Sequence, residues 1–211
     1  LGREATVFKI KNEKLKMKND KSKLRISYQD IIDAIKGNSV GDWEIGYTIE
    51  FYPEEGKYHY TGHRNCGVKQ TPGETRKLGA VCPVCGKKLT VGVMHRVEQL
   101  ASREITNHKP QMTNDEYGVR WIKDEQKKRP PYVMMVPLLE ILSQALRSGV
   151  SSKKVISEYE KLTTVLGPEF KILLQTKPEE IERVGGSKLR EAIMKVRSGD
   201  IFIDPGFDGV F

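Results

Sequence analysis

His63-Arg64-Asn65-Cys66, followed after fifteen residues by Cys82-Pro83-Val84-Cys85-Gly86, gathers all three cysteines of the chain into two short knuckles. Soft donors in fours are what a tetrahedral zinc ion requires, and H-x2-C with C-x2-C is close to a zinc-ribbon spacing. His63 stands where a C-x2-C knuckle would hold its first cysteine and is favoured as the fourth ligand. His59 on the preceding segment and His95 at a helix start are the alternatives. Three thiolates and one imidazole fill the coordination shell, so the expected ion is structural Zn2+ and not a generator of reactive water. Nucleobase deaminases also bind zinc through His and Cys, but they need H-x-E and P-C-x-x-C. Here Arg64-Asn65 follows His63 and Val81 precedes Cys82, which removes the general acid/base from its place.

The charge around the knuckles is lopsided. Arg64, Lys69, Arg76, Lys77, Lys87, Lys88 and Arg96 surround the ligands, while Glu74 is the only acid between Lys57 and Arg96. With a net charge of +8 over 211 residues, this points to a polyanionic partner, nucleic acid first. Tyr58 and Tyr60 lie beside these cations, where they could stack on unstacked bases or simply pack against the zinc module. The cysteine usage, together with the lack of a recognisable apolar leader or spanning apolar run, suits a reducing cytoplasm and no membrane. Leu1 at the start and a strand-turn-strand reading of 201–210 at the end fit a piece excised from a longer polypeptide.

Outward from the knuckles, 5–10 reads as a strand, 11–25 as a lysine-dense loop, and Ser27 with Asp30 as a capping box for a helix ending at Gly37-Asn38. Its apolar stripe is Ile31, Ile32 and Ile35. Residues 41–56 alternate as a strand with one wet face, then turn at Pro53-Glu54-Glu55-Gly56 into a second short strand over 57–60. A further strand is expected over 88–93, then a helix whose buried stripe is Val93, Val97, Leu100 and Ala101. Residues 102–131 read as irregular, with a basic cluster at 127–129. Beyond them the periodicity is helical. Pro137 opens one helix that Gly149 stops, Ser151 opens another, and Thr176 to Glu179 forms a capping box for a short helix ending at Gly185-Gly186. Ser187 caps the last helix. The outline from Thr176 to Val196 resembles a helix-hairpin-helix without its G-x-G turn, either a phosphate contact or a hairpin that completes a core. The expected class is α+β in three segments: 1–40 as the edge of an α/β domain, 41–101 as the zinc module, and 102–211 as a helical domain.

The runs Leu1-Gly2-Arg3-Glu4, Phe51-Tyr52-Pro53-Glu54-Glu55-Gly56-Lys57-Tyr58-His59, Gly62-His63-Arg64-Asn65-Cys66-Gly67-Val68, Cys82-Pro83-Val84-Cys85-Gly86-Lys87, Val91 to Glu98 and Asp204-Pro205-Gly206-Phe207-Asp208-Gly209 together resemble the C-terminal half of endonuclease Q, a PHP-family DNA repair nuclease. The likeness is densest over 51–98 and leaves out 11–25. It implies a parent enzyme that nicks DNA on the 5′ side of deaminated bases such as uracil or hypoxanthine, and at abasic sites. The family's catalytic divalent metals sit in a PHP barrel upstream, on H-x-H and D-x-H motifs. The four histidines here, His59, His63, His95 and His108, form no such pair, so the resemblance implies a part that positions DNA without cutting it. It also implies zinc on His63, Cys66, Cys82 and Cys85, contacts to DNA among Arg64, Asn65, His95 and Arg96, and a damaged nucleotide turned out of the stack. Asn65 could read a base edge or brace the knuckle. The family is linked with the sliding clamp, although no glutamine-led clamp-binding peptide is visible. The alternative from another class is a non-enzymatic zinc adaptor for RNA or protein.

Overall fold

The computed structural model describes residues 4–11, 25–37, 41–101, 110–126 and 128–210. Most of the lysine-dense run and Lys127 of the basic cluster lie outside them. The class is α+β, and the chain divides into two compact units, Leu1–Glu50 with Pro110–Asp200, and Phe51–Lys109 with Ile201–Phe211. This division differs from the three expected segments, first because the 1–40 segment and the helical segment share one unit. Residues 41–50 pair with the first strand, and residues 201–210 join the cysteine-bearing unit.

In the first unit, β1 (Ala5–Ile10) and β2 (Trp43–Glu50) run antiparallel, with a register shift between Val7 and Phe8. Between them α1 (Tyr28–Lys36) has the expected Ser27–Asp30 capping box, with Gly37 at φ 69° ending it. Its buried member is Ala34, whereas Ile35 faces solvent. The stretch expected to be irregular contains β5 (Gln111–Asn114) and β6 (Arg120–Lys123), which continue the sheet through β7 (Tyr132–Met134) in the order β1-β2-β7-β6-β5. Strand β7 lies parallel to β2. The signal for the β5–β6 hairpin is its turn. Asp115 Oδ1 accepts from the N–H of Tyr117 and of Val119, both at 2.9 Å, its Oδ2 accepts from Trp121 Nε1 at 2.8 Å, and Gly118 takes φ 76°.

Five helices complete this unit: α4 (Leu138–Leu146), α5 (Lys153–Leu166), α6 (Glu169–Leu174), α7 (Pro178–Gly185) and α8 (Ser187–Ser198). Their apolar faces meet over Leu138, Leu142, Val155, Leu162, Ile172, Ile181 and Ile193, all fully buried, each contributing about 1.5–3 kcal/mol by leaving water. The helix ends depart from the sequence reading. Arg147 in the left-handed region, not Gly149, closes α4, and Ser152 caps α5. Thr176 makes no capping box, because its hydroxyl donates to the Lys171 carbonyl at 3.1 Å. Ser187 is the first residue of α8, behind Gly186 at φ 82°. Proline at 137 offers α4 no capping side chain, and Glu169 replaces it from a distance. Its Oε1 accepts from the Leu138 N–H at 2.8 Å and its Oε2 from the Tyr159 hydroxyl at 3.1 Å.

The second unit is built on the hairpin β3 (Thr61–His63) and β4 (Val68–Gln70), followed by α2 (Pro72–Leu78) and later α3 (Val93–Leu100). Residues 57–59 form a turn rather than a strand, with Tyr60 in a single bridge to Phe207. Residues 88–92 likewise contribute only the bridges Val81–Lys88 and Gly62–Thr90. Val93, Val97 and Leu100 lie on α3 but are at least half exposed, as is Leu78, so the stripe expected to be buried faces solvent. Close backbone approach explains two glycines here. A Cβ at Gly62 would collide with the Phe207 ring and the Val68 carbonyl, and one at Gly92 with the Tyr60 backbone.

Candidate metal centre and its basic surroundings

The first knuckle is the 3-10 turn Arg64–Cys66 at the tip of the β3–β4 hairpin, closed by Gly67 at φ 64°. The second is the 82–86 turn, in which the Cys82 N–H donates to the Lys87 carbonyl at 2.7 Å and the Gly86 N–H to the Cys82 carbonyl at 2.9 Å. Both hold their donors three residues apart on one side. The result brings together His63, Cys66, Cys82 and Cys85, whose ligand atoms all lie within 4.8 Å of one another, with His63 Nδ1 3.4 Å from Cys85 Sγ. A tetrahedral zinc ion with ordinary bond lengths sets its donors about 3.6–3.8 Å apart. The donor set and its spacing therefore fit a metal ion. His59 is occupied elsewhere, its buried Nδ1 2.8 Å from the Pro53 carbonyl oxygen, and His95 Nε2 is paired with the Gln99 amide at 3.0 Å.

The sulfurs are not equivalent. Burial, together with the neighbouring Cys85 and Cys82 thiols, pushes the Cys66 thiol up to about 11. Burial also acts against ionising Cys82, but the Cys85 N–H, the His63 ring, the Val84 N–H and the Cys85 thiol outweigh it and bring Cys82 down to about 6. A cluster that already favours one thiolate presents a cation with an anionic donor before the others give up their protons.

The residues expected to meet nucleic acid are distributed unevenly. Arg64 and Asn65 are exposed on the first knuckle, and Lys87 and Lys88 on the second. Tyr58 is exposed on the 57–59 turn, and a side chain at Gly209 would meet both its hydroxyl and the Arg64 guanidinium. Tyr60 is half-buried, with its ring 4.7 Å from that of His59. Lys69 is engaged by Asp204 at 2.5 Å and lies 5.7 Å from the centre of the Phe207 ring. On α3, Arg96 donates to Gln99 Oε1 at 3.1 Å, and the Nδ1 of His95 is buried.

Sequence reasoning did not anticipate the tail. The Asp204-Pro205-Gly206-Phe207-Asp208-Gly209 loop lies across this unit, with the Tyr60 N–H donating to the Gly206 carbonyl and the Gly206 N–H to the Glu54 carbonyl. Asp208 accepts from the Arg64 N–H at 2.8 Å and from the Thr90 hydroxyl at 2.5 Å, and these bonds hold its carboxyl below the usual carboxylate range, the Thr90 bond foremost. Its two aspartates and two glycines were legible as a turn, but not as a turn belonging to the knuckles.

The family model described as the MJ0043 C-terminal domain matches residues 137–200, the helices α4 to α8. The uncharacterised protein MJ0043 of Methanocaldococcus jannaschii is 29% identical over 185 residues, which are 88% of this chain and 20% of that protein. The crystal structure of the lesion-specific endonuclease PfuEndoQ from Pyrococcus furiosus superimposes with a TM-score of 0.74 at 29% identity, covering 100% of this chain and 44% of that one. Endonuclease Q in complex with a 27-mer duplex substrate carrying an abasic lesion at the active site gives 0.73 at 30% identity, covering 45% of that chain. The chain thus spans less than half the length of these structures and about a fifth of the curated relative. Along its whole length it is similar to one part of endonuclease Q.

Proposed function

We propose that this chain is the zinc-organised, DNA-contacting part of an endonuclease Q-type repair nuclease, one that nicks 5′ of deaminated bases (uracil, hypoxanthine) and at abasic sites. The observation that carries the proposal is the four-donor cluster of His63, Cys66, Cys82 and Cys85, set among exposed cations on a fold that superimposes on endonuclease Q throughout. In this reading the cluster is a small zinc-ribbon-like module, and Zn2+ is structural. It ties the two knuckles together so that Arg64, Asn65, Lys87 and Lys88 stand on one rigid surface, with Tyr58 beside them as a stacking face for an unstacked base. The unit that holds residues 1–40 is the part that adjoins a PHP-type domain, and that domain, with the divalent catalytic metals, is the partner expected in the same polypeptide. The expected setting is a reducing cytoplasm, with the sliding clamp a further partner of the parent enzyme. Among the described residues no helix is long and apolar enough to cross a membrane.

The test is to measure zinc content by elemental analysis and duplex binding by fluorescence anisotropy, using abasic, uracil-containing and undamaged DNA. About one zinc per chain and binding that weakens steeply with salt are expected. Chelation should melt residues 57–96. A zinc-free folded protein, metal-dependent cleavage by this chain alone, or tight binding to RNA with none to DNA would each overturn the reading, the last in favour of an adaptor.

A further inference from the structure

The contacts of the 204–209 loop have a direction. One carboxylate oxygen of Asp208 takes the backbone N–H of Arg64, inside the first knuckle between His63 and Cys66. The other takes the hydroxyl of Thr90, on the segment that leaves the second knuckle and bridges back to Gly62. The chain separations, 144 and 118 residues, make both contacts wholly tertiary. The loop is seated independently of the carboxylate, since the Gly209 N–H donates to the Lys57 carbonyl at 2.9 Å and a Cβ at Gly206 would press on the Gly56 carbonyl and the Lys57 backbone. Asp208 itself adopts φ 44°, a left-handed conformation that aspartate tolerates better than most residues.

We propose that Asp208 is a positioning residue for the metal centre, a strap between the two knuckles that sets how slowly the ion is released. The inference rests on the zinc reading given above. Each knuckle by itself is a short turn, and the segments behind them are joined by the reciprocal Gly62 and Thr90 backbone hydrogen bonds, both 2.9 Å. A carboxylate anchored to the first knuckle and to the segment that leaves the second adds to that bridge and restricts the motion by which Cys82 and Cys85 would separate from His63 and Cys66. Residues that orient metal ligands in this indirect way typically change metal affinity by about 10–100-fold when removed. Asp204 supplies an internal comparison, because among the described residues it pairs with the Lys69 side chain and with backbone groups of neither knuckle.

The experiment follows transfer of zinc from the loaded full chain to the chromogenic chelator 4-(2-pyridylazo)resorcinol. D208A and T90V should speed release about tenfold or more, and D204N should leave it within about twofold. The visible ligand-field absorption of the Co2+-substituted protein should be the same in D208A and parent, since all four ligands remain. Trp43 and Trp121 both lie in the other unit, so the urea midpoint of their fluorescence should not move. Unchanged release in D208A and T90V overturns the inference, as does faster release matched by a lower tryptophan midpoint, which would be general destabilisation. If D208A does not fold, T90V decides alone, because it removes only one hydroxyl. A parent chain without zinc overturns the metal reading and this inference together, whereas a zinc-loaded parent with indifferent variants overturns only the latter.

Discussion

Arg197 donates through Nη2 to the Ile172 carbonyl at 2.6 Å, from the last turn of α8 to the end of α6. The same guanidinium, almost fully buried, also reaches the carbonyls of Leu173 at 2.9 Å, Thr176 at 2.7 Å and Tyr117 at 2.7 Å. The last carbonyls of a helix have no intrahelical partner, and here a planar fork of donors meets those of Ile172 and Leu173 while tying in the β5–β6 turn. Burial lowers the guanidinium to about 10, partly offset by Asp115, so it stays charged at neutral pH. Arg197→Met should lower the urea-unfolding free energy by about 3 kcal/mol or more, because several buried acceptors lose their donor at once. Arg197→Lys, with one ammonium in place of the fork, should recover only part.

Packing in the helical layer gives a second expectation. Leu162 is fully buried on α5, facing the Gly185 and Leu189 region of the α7–α8 hairpin. Leu162→Ala should cost about 2–5 kcal/mol by the same measurement. Val165→Ala, at an exposed position on the same helix, should stay within about 0.5 kcal/mol.

The pH dependence of the second unit carries a sign fixed by its capping box. The Thr71 N–H and hydroxyl both donate to Glu74 Oε2, at 2.7 and 2.8 Å, and hold the Glu74 carboxyl below its usual value of 4.5, the backbone bond first. A carboxyl lowered by folding stabilises the folded state above the usual value, and that contribution disappears as pH falls through the lowered one. Stability should therefore decline on acidification below about pH 4.5. Glu74→Gln should flatten this acid limb while reducing stability at neutral pH, and Thr71→Ala, which keeps the backbone N–H, should flatten it only in part, as followed by circular dichroism melts at stepped pH.

Salt titration of DNA binding separates the exposed cations. Lys87→Ala and Lys88→Ala should each reduce the slope of log affinity against log salt by about 1 if they neutralise one phosphate apiece. Lys69→Ala should change it less, because Asp204 already occupies that ammonium.

Gly62 tests the fit of the tail. A methyl group there has no space beside Phe207 and the Val68 carbonyl, and neither the aromatic ring nor the backbone can give way cheaply. Gly62→Ala should open the β3–β4 hairpin and cut retained zinc per chain, whereas Gly73→Ala, on open surface in α2, should not.

Local spacing alone was enough to foresee the two knuckles, since His63 with Cys66 and Cys82 with Cys85 are each three residues apart and their turns form from neighbouring backbone groups. The capping boxes at Ser27 and Thr176 show the limit of that reasoning. Ser27 finds Asp30 free, while Thr176 is claimed by the end of α6, so an identical local signal has two outcomes. The β5–β6 hairpin was missed because polar composition hid a turn made by one aspartate, and the α3 stripe was misassigned because apolar period says which residues share a face but not whether anything covers it. Which histidine joins the sulfurs, the parallel pairing of β2 with β7, the four carbonyls gathered by Arg197 and the tail laid over the knuckles all join residues far apart in the chain. Such contacts leave no period in the sequence, because the partner is chosen by how packed elements meet once loop-closure entropy has been overcome.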